Sequence, residues 1–389
     1  MKFLHTGDLH IGKMVHEFPM LEDQRYILRQ ILEIAAEKEV DAVVIAGDVY
    51  DRSIPSTEAV NVLNDFLTEL TEKKIPVLMI SGNHDSAERV GFADRILEKQ
   101  GLYIGGALDT DEAGQPLLKL VVLEDEEGPV RFVLLPFVKP AVVGAATAQQ
   151  AVEKLLENVR PKKRERCVLI THYFVVGKGG AEPELSDSET RISVGGLEYV
   201  TADTFAGFAY VALGHIHKPQ HLKETNCYYA GSPLPYSFSE CEQIKGVNLV
   251  TLTDSEGTPD GGMKVERIPL RPLHRMRIIQ GKLMELLEQE AYEGEDTKDY
   301  IQAVLTDERE LVDPIGTLRK VYPNIMQIRM KKNEQKAETA YEAEKLQQGK
   351  DILGLFCDFY ELVSGSRMEQ TQVSVLEECL KQAQEEEKG

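Results

Sequence analysis

Along this chain, short apolar runs repeatedly break off at residues that can hold a metal, and no other sequence feature narrows the fold as far. Ala42-Val43-Val44-Ile45-Ala46 runs straight into Gly47-Asp48, residues 75–80 close on Gly82-Asn83-His84-Asp85, and Val168-Leu169-Ile170-Thr171 ends at His172. The runs at 2–6 and 210–213 precede Asp8-Leu9-His10 and Gly214-His215-Ile216-His217 in the same way. A β-branched run of that length, bounded by polar residues or glycine, reads as a buried parallel strand. Open α/β sheets keep their chemistry at the carboxyl ends of such strands. One strand-end acid decides little, since Asp48 could simply cap the helix that Pro55 and Ser56 announce. Five blocks ending strand-like runs point instead to one shared metal site.

The periodicity between the blocks predicts an α/β chain. Strand, helix, strand, helix, strand over residues 2–80 gives a parallel half-sheet with right-handed crossovers, the helices carrying Leu28, Ile31, Leu32 and Ala35, then Val60, Leu63, Phe66, Leu67 and Leu70. A helix ending near Gly101 follows, then strands at 117–123 and 131–135, a helix at 148–159, a strand at 167–171 and a loop over 177–196. Strands at 210–213, 227–230, 246–252 and 263–268 complete an order that fits two packed mixed β-sheets flanked by helices. Composition shifts at Pro269-Leu270-Arg271-Pro272, so the catalytic domain is placed at 1–270 and a small α/β domain at 271–331. Within the latter, strands are expected at 275–280, 300–305 and 325–330 and helices at 282–290 and 314–321. A charged linker at 332–349 leads to a two-helix tail at 350–389, with Leu353, Phe356, Phe359, Tyr360 and Leu362 on one helix and Val373, Leu376, Leu380 and Ala383 on the next. Apolar stripes behind a charged linker suit a partner's groove.

The i, i+2 spacing of Asp8 with His10, and of His215 with His217, turns both side chains of each pair to one side of an extended backbone. Carboxylate, imidazole and carboxamide oxygen together suit divalent ions, Mn²⁺ first, with Mg²⁺, Fe²⁺ or Zn²⁺ as alternatives. These blocks resemble the signature of the calcineurin-like metallophosphoesterases, D-x-H, G-D, G-N-H-(D/E), H and G-H-x-H. The resemblance implies the layered metallophosphoesterase fold, with one metal held by Asp8, His10, Asp48 and His217, a second by Asp48, Asn83, His172 and His215, and Asp48 as the bridge. Two such cations roughly 3.5–4 Å apart can clamp a phosphodiester for in-line displacement. His84, next to a ligand but assigned to neither metal, becomes the candidate to protonate the leaving oxygen or stabilise the transition state, with Asp85 orienting its imidazole.

Two further strings narrow the substrate. Gly231-Ser232-Pro233-Leu234-Pro235-Tyr236-Ser237-Phe238-Ser239-Glu240, and Ser186-Asp187-Ser188-Glu189 leading to Val194-Gly195-Gly196, resemble segments of the SbcD family of nuclease subunits. The small domain and terminal helices are similar to that family's DNA-capping domain and ATPase-binding helices. The resemblance implies a Mn²⁺-dependent DNA nuclease, an ATP-dependent double-strand exonuclease and single-strand or hairpin endonuclease. It would work on DNA ends and hairpins with an SbcC-type coiled-coil ATPase, as a homodimer within a heterotetramer, in DNA repair, recombination and replication. His16, Arg271, Arg275 and Arg277 are then candidate DNA contacts, and Leu353, Phe356, Phe359, Tyr360, Leu376 and Leu380 candidate ATPase contacts. Asp51, a third catalytic candidate, stands where archaeal and eukaryotic relatives usually carry a histidine, so it could orient His84, contact a metal-bound water or cap the next helix. Asp48-Val49-Tyr50-Asp51-Arg52 is also similar to the G-D-x-V-D-R-G of protein phosphatases. A phosphoprotein or small-molecule phosphatase is therefore the second reading, and a non-catalytic scaffold the third.

Charge separates these readings only in part. A formal net charge of −21 argues against coating nucleic acid by bulk electrostatics, but bound divalent cations invert the field around site carboxylates. The five cysteines are odd in number and scattered, indicate neither a disulfide framework nor a zinc finger, and suit a reducing cytosol. No stretch approaches a membrane span, so a cytoplasmic protein without membrane contact is expected. His5, His16, His221 and His274 match no ligand slot and read as core or surface histidines.

Overall fold

The computed structural model describes residues 1–162, 164–189, 199–254, 262–307, 309, 311–331, 353–354, 356–357, 360, 367–368, 372–376 and 380. The chain divides into two compact units, Met1–Met276 and Arg277–Gly389.

The first unit is built on two six-stranded mixed sheets. One runs in the order Met263–Pro269, Gly246–Leu252, Lys2–Thr6, Ala42–Ala46, Val77–Ile80, Leu102–Gly105, its last four strands parallel. The other runs Gln220–His221, Cys227–Tyr229, Tyr210–Gly214, Cys167–His172, Gly128–Leu135, Lys119–Asp125, parallel through its four central strands. Alternate residues of facing strands fill the space between the sheets: Ala42, Val44, Leu78 and Ile80 from one, Phe132, Leu134, Ile170 and Tyr210 from the other. Phe3 packs edge-on against Phe132 and Tyr210 at 5.6 and 5.7 Å. The intervening residues Val133, Leu169 and Val211 face the other way, into a second core with Ala151, Val152 and Leu155 of the helix Ala148–Leu156. Burial on both faces explains why these strands read as unbroken apolar runs.

The crossover helices Leu21–Glu37 and Thr57–Glu72 bury Ile27, Leu28, Ile31 and Leu32, and Val62, Leu63, Phe66 and Leu70. Ser56, not Asp48, caps the second of them, its hydroxyl accepting the Ala59 N–H at 3.2 Å. The helix expected to end near Gly101 is instead two single turns, Ala87–Val90 and Asp94–Leu97, and a 3₁₀ turn, Glu98–Gln100. Ala93, at φ 61°, interrupts them.

The second unit carries a sheet in the order Met276–Gly281, Tyr300–Leu305, Ile325–Met330, over a core of Leu283, Leu286, Ile301, Leu305, Leu318 and Tyr322. The expected helix at 282–290 is replaced by two 3₁₀ turns, Glu285–Leu287 and Gln289–Ala291, with Glu288 extended between them. Tyr322 donates its hydroxyl to the Leu286 carbonyl at 3.0 Å, taking an acceptor that a continuing helix would use. The linker at 332–349, Phe359, Leu362, Ala383 and the string Val194-Gly195-Gly196 lie outside the described residues. Among the described residues no helix is long and apolar enough to cross a membrane.

Candidate metal centre

The five blocks meet at one rim of the first unit, where the parallel strands end. The backbone there is held in an uncommon shape. Asp8, His10, Asp48 and His215 have φ of 51°, 45°, 47° and 96°, a region that side chains with a Cβ seldom enter. Hydrogen bonds enforce it: Asp8 N–H donates to Gly47 O at 3.0 Å, His10 N–H to Asp48 O at 2.9 Å, His215 N–H to Asp8 Oδ1 at 2.8 Å and His84 N–H to Asp48 Oδ1 at 2.9 Å. Buried Gln24 braces the loop from the helix side, donating to the His10 carbonyl at 2.7 Å. Gly47 is required here, because its φ is 86° and a Cβ would lie 2.5 Å from His172 Nδ1.

Ligand atoms of Asp8, His10 and His217 lie within 4.8 Å of one another, as do those of Asp8, Asp48 and His172, and of His10, Asp51 and His84. His10 Nε2 faces His217 Nε2 at 3.1 Å. Asn83 Oδ1 lies 3.0 Å from His172 Nε2 and 2.9 Å from His215 Nδ1. Asp48 Oδ2 lies 3.3 Å from His172 Nε2 and 3.6 Å from His10 Nε2. Since His172 Nδ1–H donates to the Ala46 carbonyl at 2.8 Å, its Nε2 is left to face an amide oxygen and a carboxylate. Asp8 Oδ2 and His10 Nδ1 are buried with no hydrogen-bond partner among the described residues. Buried acceptors turned on one another cost free energy unless positive charge lies among them. Two carboxylates, four imidazoles and one carboxamide oxygen form a donor set that fits borderline divalent ions.

The electrostatics agree with that fit. Burial, with the neighbouring Asp48 charge, pushes Asp8 up to about 7 against the pull of His172 and His217. Burial also drives His215 down to about 3 and His10 well below its usual value. Burial would lower His172 too, but the Asp48 carboxylate outweighs it and raises that imidazole to about 9. For Asp48 itself, burial is overcome by His172 and His10, which hold it well below the carboxylate range. Asp48 thus draws on positive charge at His172 and His10, whereas the ionised form of Asp8 is disfavoured by its burial.

His84 is exposed at the rim, and its Nδ1–H donates to the Asp51 backbone carbonyl at 3.1 Å. The expectation that Asp85 orients this imidazole is corrected. Asp85 accepts instead from the backbone N–H groups of Val49, Tyr50 and Gly82 at 3.0, 2.9 and 2.9 Å, tying the Gly47–Asp51 loop to the Gly82 loop. Burial and the Asp48 charge push it up to about 6, against those three bonds. Asp51 orients His84 through its main chain, while its carboxylate pairs with Lys13 Nζ at 2.7 Å and lies 3.6 Å from His10 Nδ1.

His16 stacks on Phe238 at 5.7 Å, outside the cluster. Arg271 and Arg275 are exposed. Arg277 is committed within the second unit to Asp299 at 2.7 Å and the Asp296 carbonyl at 3.0 Å, which takes its guanidinium from the phosphate contacts expected of it. His5 is buried against the Tyr210 hydroxyl at 2.8 Å, His221 stacks on Tyr228, and His274 pairs with buried Asp23 at 3.1 Å. In the tail, Leu353, Tyr360, Leu376 and Leu380 are half-buried and Phe356 is 44% exposed. Sequence reasoning gave no role to Ser188, Glu189, Glu240 and Lys245, which pack behind His217. Their signal was present, since three of the four lie in the two strings that resemble the SbcD family. A cavity of about 1100 Å³ opens onto the cluster, lined by His10, Asp48, His84 and His217 on one side and by Phe137 and Phe174 on another.

Comparison with known proteins agrees with this architecture. The pattern of the calcineurin-like phosphoesterases matches residues 1–219, and that described as the type 5 capsule protein repressor C-terminal domain matches residues 270–364. The SbcD component of the nuclease SbcCD from Staphylococcus epidermidis is 34% identical over 336 residues, covering 84% of this chain and 84% of that protein. Among solved structures, a dimetal phosphatase from Danio rerio aligns with a TM-score of 0.40 at 12% identity, over 69% of this chain and 95% of its own. The phosphoesterase Yfce from E. coli aligns with a TM-score of 0.28 at 15% identity, over 70% and 100%. Likenesses that slight say nothing about chemistry, whereas the matched pattern and the curated relative are sufficient: the chain belongs to the calcineurin-like phosphoesterase family, among the relatives of SbcD.

Proposed function

We propose that this chain is a two-metal-dependent DNA nuclease that hydrolyses phosphodiester bonds at DNA ends and hairpins, together with an SbcC-type coiled-coil ATPase. The observation that carries this reading is the convergence of ligand atoms of Asp8, His10, Asp48, Asn83 and His172 at a single rim, where they face one another or, among the described residues, have no hydrogen-bond partner. Asp8, His10, Asp48 and His217 would hold one cation, Asp48, Asn83, His172 and His215 the other, with Mn²⁺ the ion best suited to the donors and Mg²⁺ the alternative. Bound there, the pair would supply Lewis acidity and an activated water for in-line attack on phosphorus. His84 is exposed at the rim with Nδ1–H held on the Asp51 carbonyl, so it would act as the imidazolium, Nε2–H giving its proton to the leaving oxygen and the ring returning to the neutral Nδ1–H form. Asp85 keeps the loops bearing Asp48 and His84 in register. Asp51 and Lys13 neutralise one another beside His10.

The identity shared with a subunit of the nuclease SbcCD supports a partner within such a complex; a homodimer within a heterotetramer, a cytoplasmic location and roles in DNA repair, recombination and replication belong to the same proposal. Leu353, Phe356, Tyr360, Leu376 and Leu380 are the partner contacts under this reading, and Arg271 and Arg275 the remaining basic candidates for phosphate. The test is cleavage of a hairpin duplex with Mn²⁺, with and without the ATPase and ATP, beside nucleotides and phosphopeptides. Cleavage of DNA that EDTA abolishes and the ATPase with ATP stimulates is the expected result. Turnover of phosphopeptides or nucleotides with DNA untouched would overturn it in favour of a phosphatase.

A further inference from the structure

Behind His217 lies a buried ion pair that the proposed chemistry leaves without a role. Glu240 is 0% exposed and Lys245 4%. Lys245 Nζ donates to Glu240 Oε2 at 2.6 Å, and also to Ser232 Oγ and the His217 carbonyl, each at 3.0 Å. A charge pair this deep costs desolvation, and it is tolerated when its remaining lone pairs are satisfied. They are satisfied here by two hydroxyls: Ser188 Oγ lies 2.5 Å from Glu240 Oε1, and Ser237 Oγ 3.0 Å.

The proton positions follow from what each group can donate. An ionised carboxylate only accepts, so the single hydroxyl proton of Ser188 lies on its short bond to Glu240. Ser188 Oγ then has only lone pairs to offer His217 Nδ1, 2.9 Å away, so Nδ1 must carry the ring proton and donate it. The lone pair of His217 is thereby placed on Nε2, the atom turned toward His10. Glu189 fixes the same residue from its main chain, accepting the His217 N–H at 2.6 Å.

We propose that Ser188 and Glu240 are positioning residues that fix the tautomer of His217, the chain Glu240, Ser188, His217 keeping Nε2 free to ligate a cation. This rests on the two-metal reading, and its consequence is specific to one of the two cations. In Glu240→Gln the amide oxygen turns to Lys245 and its NH₂ donates to Ser188. The Ser188 hydroxyl then rotates to donate to His217 Nδ1, and the ring proton moves to Nε2, where it blocks ligation.

The test uses the full chain labelled with ¹⁵N at its nine histidines, with the His217 signals identified by their absence in His217→Gln. Ring-nitrogen NMR of the metal-free protein, recorded at a pH high enough for the ring to be neutral, should show the Nδ1–H tautomer in the wild type and Nε2–H in Glu240→Gln. Mn²⁺ titration by calorimetry should show one of two sites weakened by about 10–100-fold in Glu240→Gln and the other unchanged. The same tautomer in both proteins, or two sites of wild-type affinity in the variant, would overturn the proposal. Should circular dichroism find Glu240→Gln unfolded, the pair Ser188→Thr and Ser188→Ala decides: threonine keeps the hydroxyl and the affinity, alanine loses both, and equal affinities overturn the proposal. Failure of the two-metal reading would look different, as a wild type that binds no Mn²⁺, while the tautomers are read without metal.

Discussion

His172 and His217 flank the same cluster, yet the chain fixes them by different means. His172 donates Nδ1–H to a main-chain carbonyl, that of Ala46, at the end of a fully buried strand. His217 is held through side chains, Ser188 and then Glu240, from loop segments on either side of it in sequence. The first arrangement is built into the sheet and no side-chain truncation removes its acceptor. The second depends on individual residues, so it can be tuned or lost by single substitutions. The two sides of the centre should therefore respond differently to mutation, with Asp48 as the group whose loss they share.

The largest effect is expected at Asp48. Asp48→Ala should lower Mn²⁺-dependent cleavage by more than about 10⁴-fold, because each cation contributes several kcal/mol to the transition state and both would be disturbed. Steady-state cleavage of a hairpin duplex reads this, and loss of only one Mn²⁺ would break the symmetry assumed for the bridge. His84→Gln should reduce cleavage by about 10²–10⁴-fold while calorimetry finds both cations still bound. Metal loss in that variant would make His84 a structural residue instead.

On the His172 side, the vulnerable point is the backbone. Gly47→Ala adds a Cβ 2.5 Å from His172 Nδ1 at a φ of 86°, and should destabilise the first unit by roughly 1–3 kcal/mol, seen as a lower midpoint in urea. An unchanged midpoint would mean that the loop relaxes freely. The smallest effect is expected for Asp85→Asn. The single amide oxygen can still accept from Val49 and Gly82, the bond from Tyr50 is lost, and His84 keeps its bond to Asp51, so cleavage should fall by under about 10-fold. A true Asp–His pair would lose about 10⁴-fold on the same change, and that outcome would restore Asp85 as the orienting group.

Much of the centre was legible in the sequence because buried parallel strands leave continuous apolar runs, and these advertise the strand ends where Asp48, Asn83 and His172 emerge. The same signal located most of the strands in both sheets. What escaped were contacts with no local pattern. Asp85 lies beside His84 in sequence, but it bonds to the N–H groups of Val49 and Tyr50, and main-chain donors have no sequence signature. Ser188 and Glu240 meet across 52 residues, a separation that no periodicity bridges. The helix expected at 282–290 failed for a related reason, since Tyr322 arrives from beyond the segment to take the Leu286 carbonyl. Arg277 read as a surface cation because the acids that bind it, Asp299 and Glu295, come from a later loop.

Whether two cations share Asp48 is tested most directly by Mn²⁺ titration of the metal-free chain, followed by calorimetry and by electron paramagnetic resonance. The prediction is two Mn²⁺ per chain with a spin-coupled signal, and loss of the coupling with weakening of both sites in Asp48→Ala. A single uncoupled Mn²⁺ in the wild type, or an Asp48→Ala protein that keeps either site at full affinity, would contradict it.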